Sequence, residues 1–172
     1  MNRIGQALTI LILVFSAGIL HAASDDKNVN GTVDILTPIS LTNLTADCLD
    51  FGKIARGTSE TILTIPAQAS PVPTYSGGDA SILSNSTPRA AMFTVGGELN
   101  KTYTIVLPTT STLSAGANHL TLSAFTCSKP TGGSAVIGAS NNDFYVGASL
   151  TLPSTAVSGD YTGTISVTVA YN

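Results

Sequence analysis

The sequence predicts an all-β protein with the fold of an immunoglobulin-like antiparallel β-sandwich. Only 10% of its 172 residues are charged, against about 25% in an average soluble domain. Ser, Thr and apolar residues dominate the remainder, a composition typical of strands. The 8 Pro and 16 Gly residues break the chain at short intervals, which leaves room for many short strands. This spacing favours a sandwich over a helical or α/β fold.

The predicted strands are segments in which apolar and polar residues alternate or apolar residues form a short run. They cover residues 49–54, 61–65, 91–95, 101–107, 119–125, 144–152 and 160–171. Upstream, residues 29–35 alternate in the same way, and Ile39 and Leu41 continue the alternation after Pro38. Residues 66–90 are rich in Pro, Gly and Ser, and we expect them to form an irregular surface loop.

The N-terminus is predicted to be a secretory signal peptide, residues 1–23. Arg3 supplies a positive charge, residues 7–20 are almost entirely apolar, and the small residues Ala22 and Ala23 precede the expected cleavage point. The apolar run is short for a membrane span, and no charged stop-transfer segment follows it. We therefore expect secretion through the inner membrane into the periplasm, with no membrane insertion after cleavage.

The mature chain is predicted to be one domain whose two cysteines form a disulfide. Residues 37–172 have the size of a single domain with a core, and residues 24–36 precede them as an N-terminal extension. Cys48 and Cys127 are the only cysteines, and an even number in a secreted chain favours a disulfide. Two buried free thiols are the alternative, because the sequence does not tell whether the two Cβ atoms meet.

Residues that could support catalysis, metal binding or nucleic-acid binding form no recognisable pattern. His119 begins an alternating strand, where a surface histidine is the common role. The acidic residues do not follow the spacing of a calcium loop, and no nucleophile elbow is present. The net charge of −3 and only 7 Lys and Arg residues exclude the basic patch that nucleic acids require. We expect no enzyme activity, no metal or other cofactor, and no nucleic-acid partner.

The last segment of the chain alternates without interruption. One face carries Asp160, Thr162, Thr164, Ser166, Thr168 and Ala170, and apolar residues and glycines lie on the other. The second face carries Gly159, Tyr161, Gly163, Ile165, Val167, Val169 and Tyr171. This pattern predicts a long strand with one dry face and one wet face. Because the sequence ends one residue after Tyr171, we expect this strand to have no later strand as a partner.

The two ends of the mature chain resemble subunits of chaperone-usher pili. In that family the last strand begins at a glycine, continues with alternating apolar residues and carries a penultimate tyrosine. Gly159 and Tyr171 stand at those two places. An N-terminal extension with alternating apolar residues precedes the domain in that family, and residues 29–35 are similar to one.

The interior resembles a poorly characterised family of secreted bacterial β-domains. The segment from Cys48 to Phe51-Gly52 is also similar to the spore-coat-U-like pilins of the archaic chaperone-usher class. The matching segments are Pro38-Ile39-Ser40-Leu41, Leu49-Asp50-Phe51-Gly52, Phe93-Thr94-Val95-Gly96-Gly97, Tyr103-Thr104-Ile105-Val106-Leu107-Pro108 and Tyr161-Thr162-Gly163-Thr164.

The resemblance implies a structural fimbrial subunit, an incomplete sandwich that polymerises by donor-strand complementation. Val29, Gly31, Val33 and Ile35 would form the donor strand, and the C-terminal strand would border the acceptor groove. The implied partners are a periplasmic chaperone, an outer-membrane usher and other pilus subunits or further copies. The implied location is the cell surface or a fimbrium, in support of adhesion or biofilm. The alternative is a self-complete secreted β-sandwich, a surface or coat protein with a binding role.

Overall fold

The computed structural model describes residues 25–43 and 48–172, and the predicted signal peptide, residues 1–23, lies outside them. The chain divides into two units, Met1–Asp34 and Ile35–Asn172. The described part of the first unit contains no helix or strand, and its side chains are exposed. All the strands described below belong to the second unit.

Every regular element within the described ranges is a β-strand. The strands are β1 (Ser40–Thr42), β2 (Ile54–Ala55), β3 (Thr61–Ile65), β4 (Thr74–Gly77), β5 (Ser81–Ile82), β6 (Ala91–Gly96), β7 (Thr102–Val106), β8 (Thr110–Ala115), β9 (Asn118–Cys127), β10 (Ala135–Val136), β11 (Asp143–Leu152) and β12 (Thr168–Tyr171). All their pairings are antiparallel. The predicted all-β, sandwich-like class is thereby confirmed. No helix in this part of the chain is long and apolar enough to cross a membrane.

The described strands are arranged in three sheets. The largest has the order β1-β6-β11-β3-β4, with β9 on the other edge of β11 and β8 beside β9. The second has the order β10-β7-β12, and the third pairs β2 with β5. The consecutive strands β7 and β8 therefore belong to different sheets, and the chain crosses from one sheet to the other between them.

Gly147 lies where β11 changes its partner. β11 pairs with β6 up to Val146 and with β3 from Ala148 onward. A Cβ at Gly147 would overlap the backbone carbonyl of Ile65, so the two backbones approach more closely than a side chain would permit. The register with β9 shifts at the same place, where Ala124 adopts a positive φ of 47°. The exchange of partners and the bulge together bend β11 across both parts of the core.

Buried side chains form two hydrophobic clusters. The first is built on the inner faces of β3, β9 and β11 and includes Leu63 and Leu150, which are at most 2% exposed. The second surrounds Tyr103 and Phe144, which are fully buried. Leu49 packs against both clusters. The core is therefore continuous from one sheet to the next.

Several predicted strand boundaries differ from the observed ones. Residues 49–54 form only an isolated bridge, between Asp50 and Arg89, before β2 begins. The run is interrupted because Gly52 adopts a positive φ of 74°. The predicted loop at 66–90 contains β4 and β5. β4 and β8 consist largely of small and polar residues, and β5 and β10 are only two residues long, so their sequence patterns do not distinguish a strand from a loop.

The hydroxyl group of Tyr103 generates a stability prediction, because it is buried and has no hydrogen-bond partner among residues 25–43 and 48–172. Burial also raises the pKa of this phenol. A buried polar group without a partner lowers stability, so we expect Tyr103→Phe to increase the free energy of unfolding by about 1–2 kcal/mol. Urea denaturation of the two proteins measures this difference. An unchanged or lower midpoint for Tyr103→Phe would show that the hydroxyl has a partner in solution.

Candidate functional site

The C-terminal segment runs antiparallel to the bent β7–β8 chain and is regularly paired only at its two ends. At the far end, β12 pairs with β7, from Thr168 opposite Val106 to Tyr171 opposite Tyr103. At the near end, an isolated bridge joins Thr162 to Ser114. Between them, residues 163–167 belong to no ladder. The predicted strand at 160–171 is therefore a regular strand only over Thr168–Tyr171. The reason is that β7 and β8, which flank the segment, separate into different sheets beside its middle.

The predicted alternation of this segment is observed in its burial. Its apolar side chains are half-buried, and the residues between them are exposed. Tyr161 and Ile165 pack against the first cluster, whereas Val167, Val169 and Tyr171 pack against the second. The segment thus seals one side of the core with its apolar face.

Gly159 and Gly163 bring the near half of the segment close to β8. A Cβ at Gly163 would overlap the carbonyl oxygen of Thr112, and one at Gly159 would lie 3.2 Å from the Cβ of Ala115. The hydroxyl of Ser111 also donates to the carbonyl of Thr164, at 2.7 Å. The segment therefore lies tightly on β8 along one side and presents its other side to a cleft.

The cleft lies between residues 48–56 and residues 156–163, which we call the first rim and the second rim. Its volume is about 610 Å³. Four leucines of the first cluster line it between the rims. They are Leu113, Leu120, Leu150 and Leu152. Leu120, Leu150 and Leu152 are at most 7% exposed, so the cleft has an apolar floor that belongs to the core.

Hydrogen bonds connect earlier parts of the domain to both ends of residues 156–171. At one end, Arg56 Nη1 donates to the carbonyl of Ala156 at 2.6 Å. At the other, the hydroxyl of Tyr171 donates to the carbonyl of Thr37 at 2.7 Å and accepts from the backbone N–H of Glu98 at 2.6 Å. Thr37 therefore lies beside Tyr171, and Arg56 lies beside Ala156.

Charged side chains stand on both rims. Asp50 forms an ion pair with Arg89 at 3.6 Å. Lys53 and Arg56 are exposed on the first rim, and Asp160 is exposed on the second. Because both cations are solvated and Asp50 already faces Arg89, the first rim offers positive charge to whatever enters the cleft.

The residues predicted as a donor strand are exposed. In the first unit, Val29 is 90% and Val33 is 83% exposed, and Gly31 has no atom within 4 Å of the position of a Cβ. At the start of the second unit, Ile35 is 85% exposed. Three large aliphatic side chains at alternate positions are thus in contact with solvent, which costs free energy unless a partner covers them.

The structure contains the two cysteines as free thiols, so the predicted disulfide is not formed in it. Cys48 is exposed at the cleft, whereas Cys127 is half-buried at the end of β9 and packs against the second cluster. Burial raises the pKa of the Cys127 thiol. The Cys48–Cys127 disulfide stays a prediction.

His119 is an exposed surface residue in the structure. Its Nδ1 lies 2.9 Å from the hydroxyl of Ser114 on the neighbouring strand. No group of three or more His, Cys, Asp or Glu side chains that could hold a metal occurs in the described ranges. The cleft is therefore distinguished by its apolar floor and by the cations of its first rim.

Sequence reasoning identified the second rim but missed the floor and the first rim. The leucines of the cleft floor occupy inward positions of β8, β9 and β11. The alternation of the sequence predicts that they are buried, but it does not predict that they line a cleft. Lys53 and Arg56 belong to no recognisable sequence motif. The hydroxyl contacts of Tyr171 join residues that are 73 and 134 positions apart, so no local pattern could have revealed them.

Comparison with known proteins places most of the second unit in one family. Residues 39–171 match the family described as Domain of unknown function (DUF4402). The match covers more than half of the chain, and the protein belongs to this family. No curated protein and no solved structure matches the chain.

The hydrogen bonds of Tyr171 generate a stability prediction, and Tyr161 in the same segment provides the control. Tyr171→Phe removes two hydrogen bonds, to Thr37 and Glu98, so we expect it to lower the free energy of unfolding by about 1–2 kcal/mol. It should also speed the hydrogen exchange of the Glu98 amide. Tyr161→Phe removes one exposed bond, to the carbonyl of Val157 at 2.9 Å, and should change neither quantity by as much. Equal effects of the two variants would contradict the conclusion that the Tyr171 hydroxyl stabilises the domain through Thr37 and Glu98.

Proposed function

We propose that this DUF4402 protein is a structural fimbrial subunit that polymerises by donor-strand complementation. The observation that carries the proposal is the apolar cleft beside the half-paired C-terminal segment, in a chain whose residues 29–35 expose alternating apolar side chains. Adding an extended segment to an open sheet edge is a general mode of peptide recognition, in which ladder hydrogen bonds give affinity and pockets for alternate side chains give specificity.

An extended strand meets both chemical requirements of the cleft. Residues 163–167, which continue the chain from the second rim, belong to no ladder, and an added strand that extends beyond the cleft would pair with their backbone. The floor leucines would receive Val29, Val33 and Ile35 of that strand. Their burial would contribute about 5–9 kcal/mol before the cost of ordering the segment. Gly31 would fit where the cleft is shallow.

The proposed occupant is residues 29–35 of a second copy. A contact between the extension of one copy and the cleft of the next is head to tail, so it does not close and generates a fibre. A periplasmic chaperone would cover the cleft before assembly, and an outer-membrane usher would direct the exchange. Low charge supports this proposal, because surfaces that become buried between subunits do not need strong solvation.

A second candidate is a self-complete secreted β-sandwich that binds a ligand. The observation in its favour is the volume of the cleft, about 610 Å³, because pockets for small ligands fall in the range of about 300–1,000 Å³. In this case the cleft would take a ligand, and residues 29–35 would have no role in assembly.

Variants of the extension test the proposed function. In the secreted protein, Val33→Asn combined with Ile35→Asn should abolish polymerisation, because two polar side chains would replace apolar anchors. The matched control Thr32→Asn changes the opposite face of the same segment and should polymerise normally. Sedimentation velocity and negative-stain electron microscopy measure the assembly.

The double variant should still accept a donor strand. A synthetic peptide of residues 26–36 should bind it as a monomer and raise its melting temperature, whereas a scrambled peptide should not. Polymerisation of the double variant, or a secreted protein that is a stable monomer and indifferent to the peptide, would contradict the proposal and favour the ligand-binding candidate.

A further inference from the structure

We propose that the cleft binds a long-chain carboxylate, whose alkyl chain covers the leucine floor and whose head group pairs with Lys53 and Arg56 on the first rim. The ligand class is an anionic amphiphile with a single apolar chain, such as a free fatty acid. This inference goes beyond the proposed function and does not depend on it, because such a ligand needs the cleft but not a second copy of the chain.

The floor of the cleft is suited to an alkyl chain. Leu120, Leu150 and Leu152 are at most 7% exposed and line the cleft from below, and Phe51 and Tyr161 add aromatic surface from the two rims. An alkyl chain on these side chains would leave water without needing a polar partner. The volume of about 610 Å³ lies within the range of pockets that hold small ligands, which are mostly apolar and carry few polar groups.

Backbone groups on both rims already have partners within the domain. On the first rim, the N–H of Lys53 donates to the hydroxyl of Ser86 at 2.7 Å, and its carbonyl accepts from the N–H of Leu83 at 2.8 Å. On the second rim, Thr162 exchanges two backbone hydrogen bonds with Ser114, at 2.7 and 3.0 Å. We therefore expect side chains, rather than these backbone groups, to recognise the head group of a ligand.

Two cationic side chains are available for this role. Lys53 and Arg56 are exposed, and neither forms an ion pair with any residue of the ranges 25–43 and 48–172. Arg56 donates from Nη1 to the uncharged carbonyl of Ala156, whereas a guanidinium has five N–H donors in a planar fork. A carboxylate that reaches this rim would therefore meet a cation able to bind it through two parallel hydrogen bonds.

The carboxylates that line the cleft favour one position for the head group. Asp50 belongs to the first rim, but Arg89 lies 3.6 Å away and opposes its charge. Asp160 is exposed on the second rim and would repel an anion. A carboxylate head group therefore gains attraction beside Lys53 and Arg56 and loses it beside Asp160, which gives the bound ligand a preferred orientation.

A series of ligands tests the inference without altering the cleft. The Val33→Asn, Ile35→Asn protein is titrated with dodecanoate, decanoate and octanoate, each below the concentration at which it forms micelles, and calorimetry measures the affinity. Each loss of two methylene groups should weaken binding about tenfold. Dodecyltrimethylammonium has the same chain with the opposite charge, and it should bind about three- to tenfold more weakly than dodecanoate.

Reversing the charge of the first rim should reverse this preference. With Lys53→Glu and Arg56→Glu combined, dodecanoate should bind about tenfold or more weakly, because a repulsion replaces an attraction. The same variant should bind dodecyltrimethylammonium more tightly than the unaltered rim does, a gain that loss of folding would not produce. Lys129→Glu is the matched control and should change neither affinity. Its side chain donates to the carbonyl of Asn141 at 2.9 Å and does not line the cleft.

Competition with the peptide of residues 26–36 separates this inference from the proposed function. Dodecanoate and the peptide should exclude each other, because both need the leucine floor. If dodecanoate does not bind, binds no more tightly than the cationic ligand, or binds together with the peptide, the inference is overturned, and binding of the peptide still supports donor-strand complementation. If dodecanoate binds as expected and the peptide does not, the inference stands and the proposed function fails.

Discussion

The pairing of β11 is the interaction on which the rest of the structure depends. This strand is hydrogen-bonded to β6 and then β3 along one edge and to β9 along the other. Its inner face contributes Phe144 and Val146 to the second cluster and Leu150 and Leu152 to the first. Because one strand builds both clusters, the two sheets that enclose them are held in a fixed relation. Gly147 makes this possible, since a side chain there would keep β3 at a distance.

The cleft follows from the same arrangement. β7 and β8 are consecutive but pair in different sheets, so a segment that runs beside both finds regular partners only where each strand is straight. The C-terminal segment therefore pairs at residues 162 and 168–171 and lacks a ladder between them. The buried leucines of β9 and β11 line the cleft beside residues 156–163, which lead into this gap. An apolar floor beside unpaired backbone is a combination that a further strand satisfies better than water does.

The contacts of Tyr171 and of Arg56 have different chemistry, and this difference gives them different roles. Tyr171 contributes one hydroxyl that both donates and accepts, to groups of two separate segments, so it stabilises the junction where the chain enters the domain. Arg56 donates to a single carbonyl from an exposed position. Such a bond contributes little to stability. The guanidinium of Arg56 keeps its charge, which an uncharged carbonyl does not neutralise.

The amino-acid sequence by itself determined the fold class, the alternation of the C-terminal segment and the alternating apolar positions at Val29, Val33 and Ile35, because each depends on a local period of two residues. Only the tertiary structure decided where the segment at 160–171 finds partners and that residues 49–54 are interrupted at Gly52. It also decided that Arg56 stands at the mouth of an apolar cleft. These features depend on contacts between residues far apart in the chain, and long-range contacts leave no periodic pattern in the sequence.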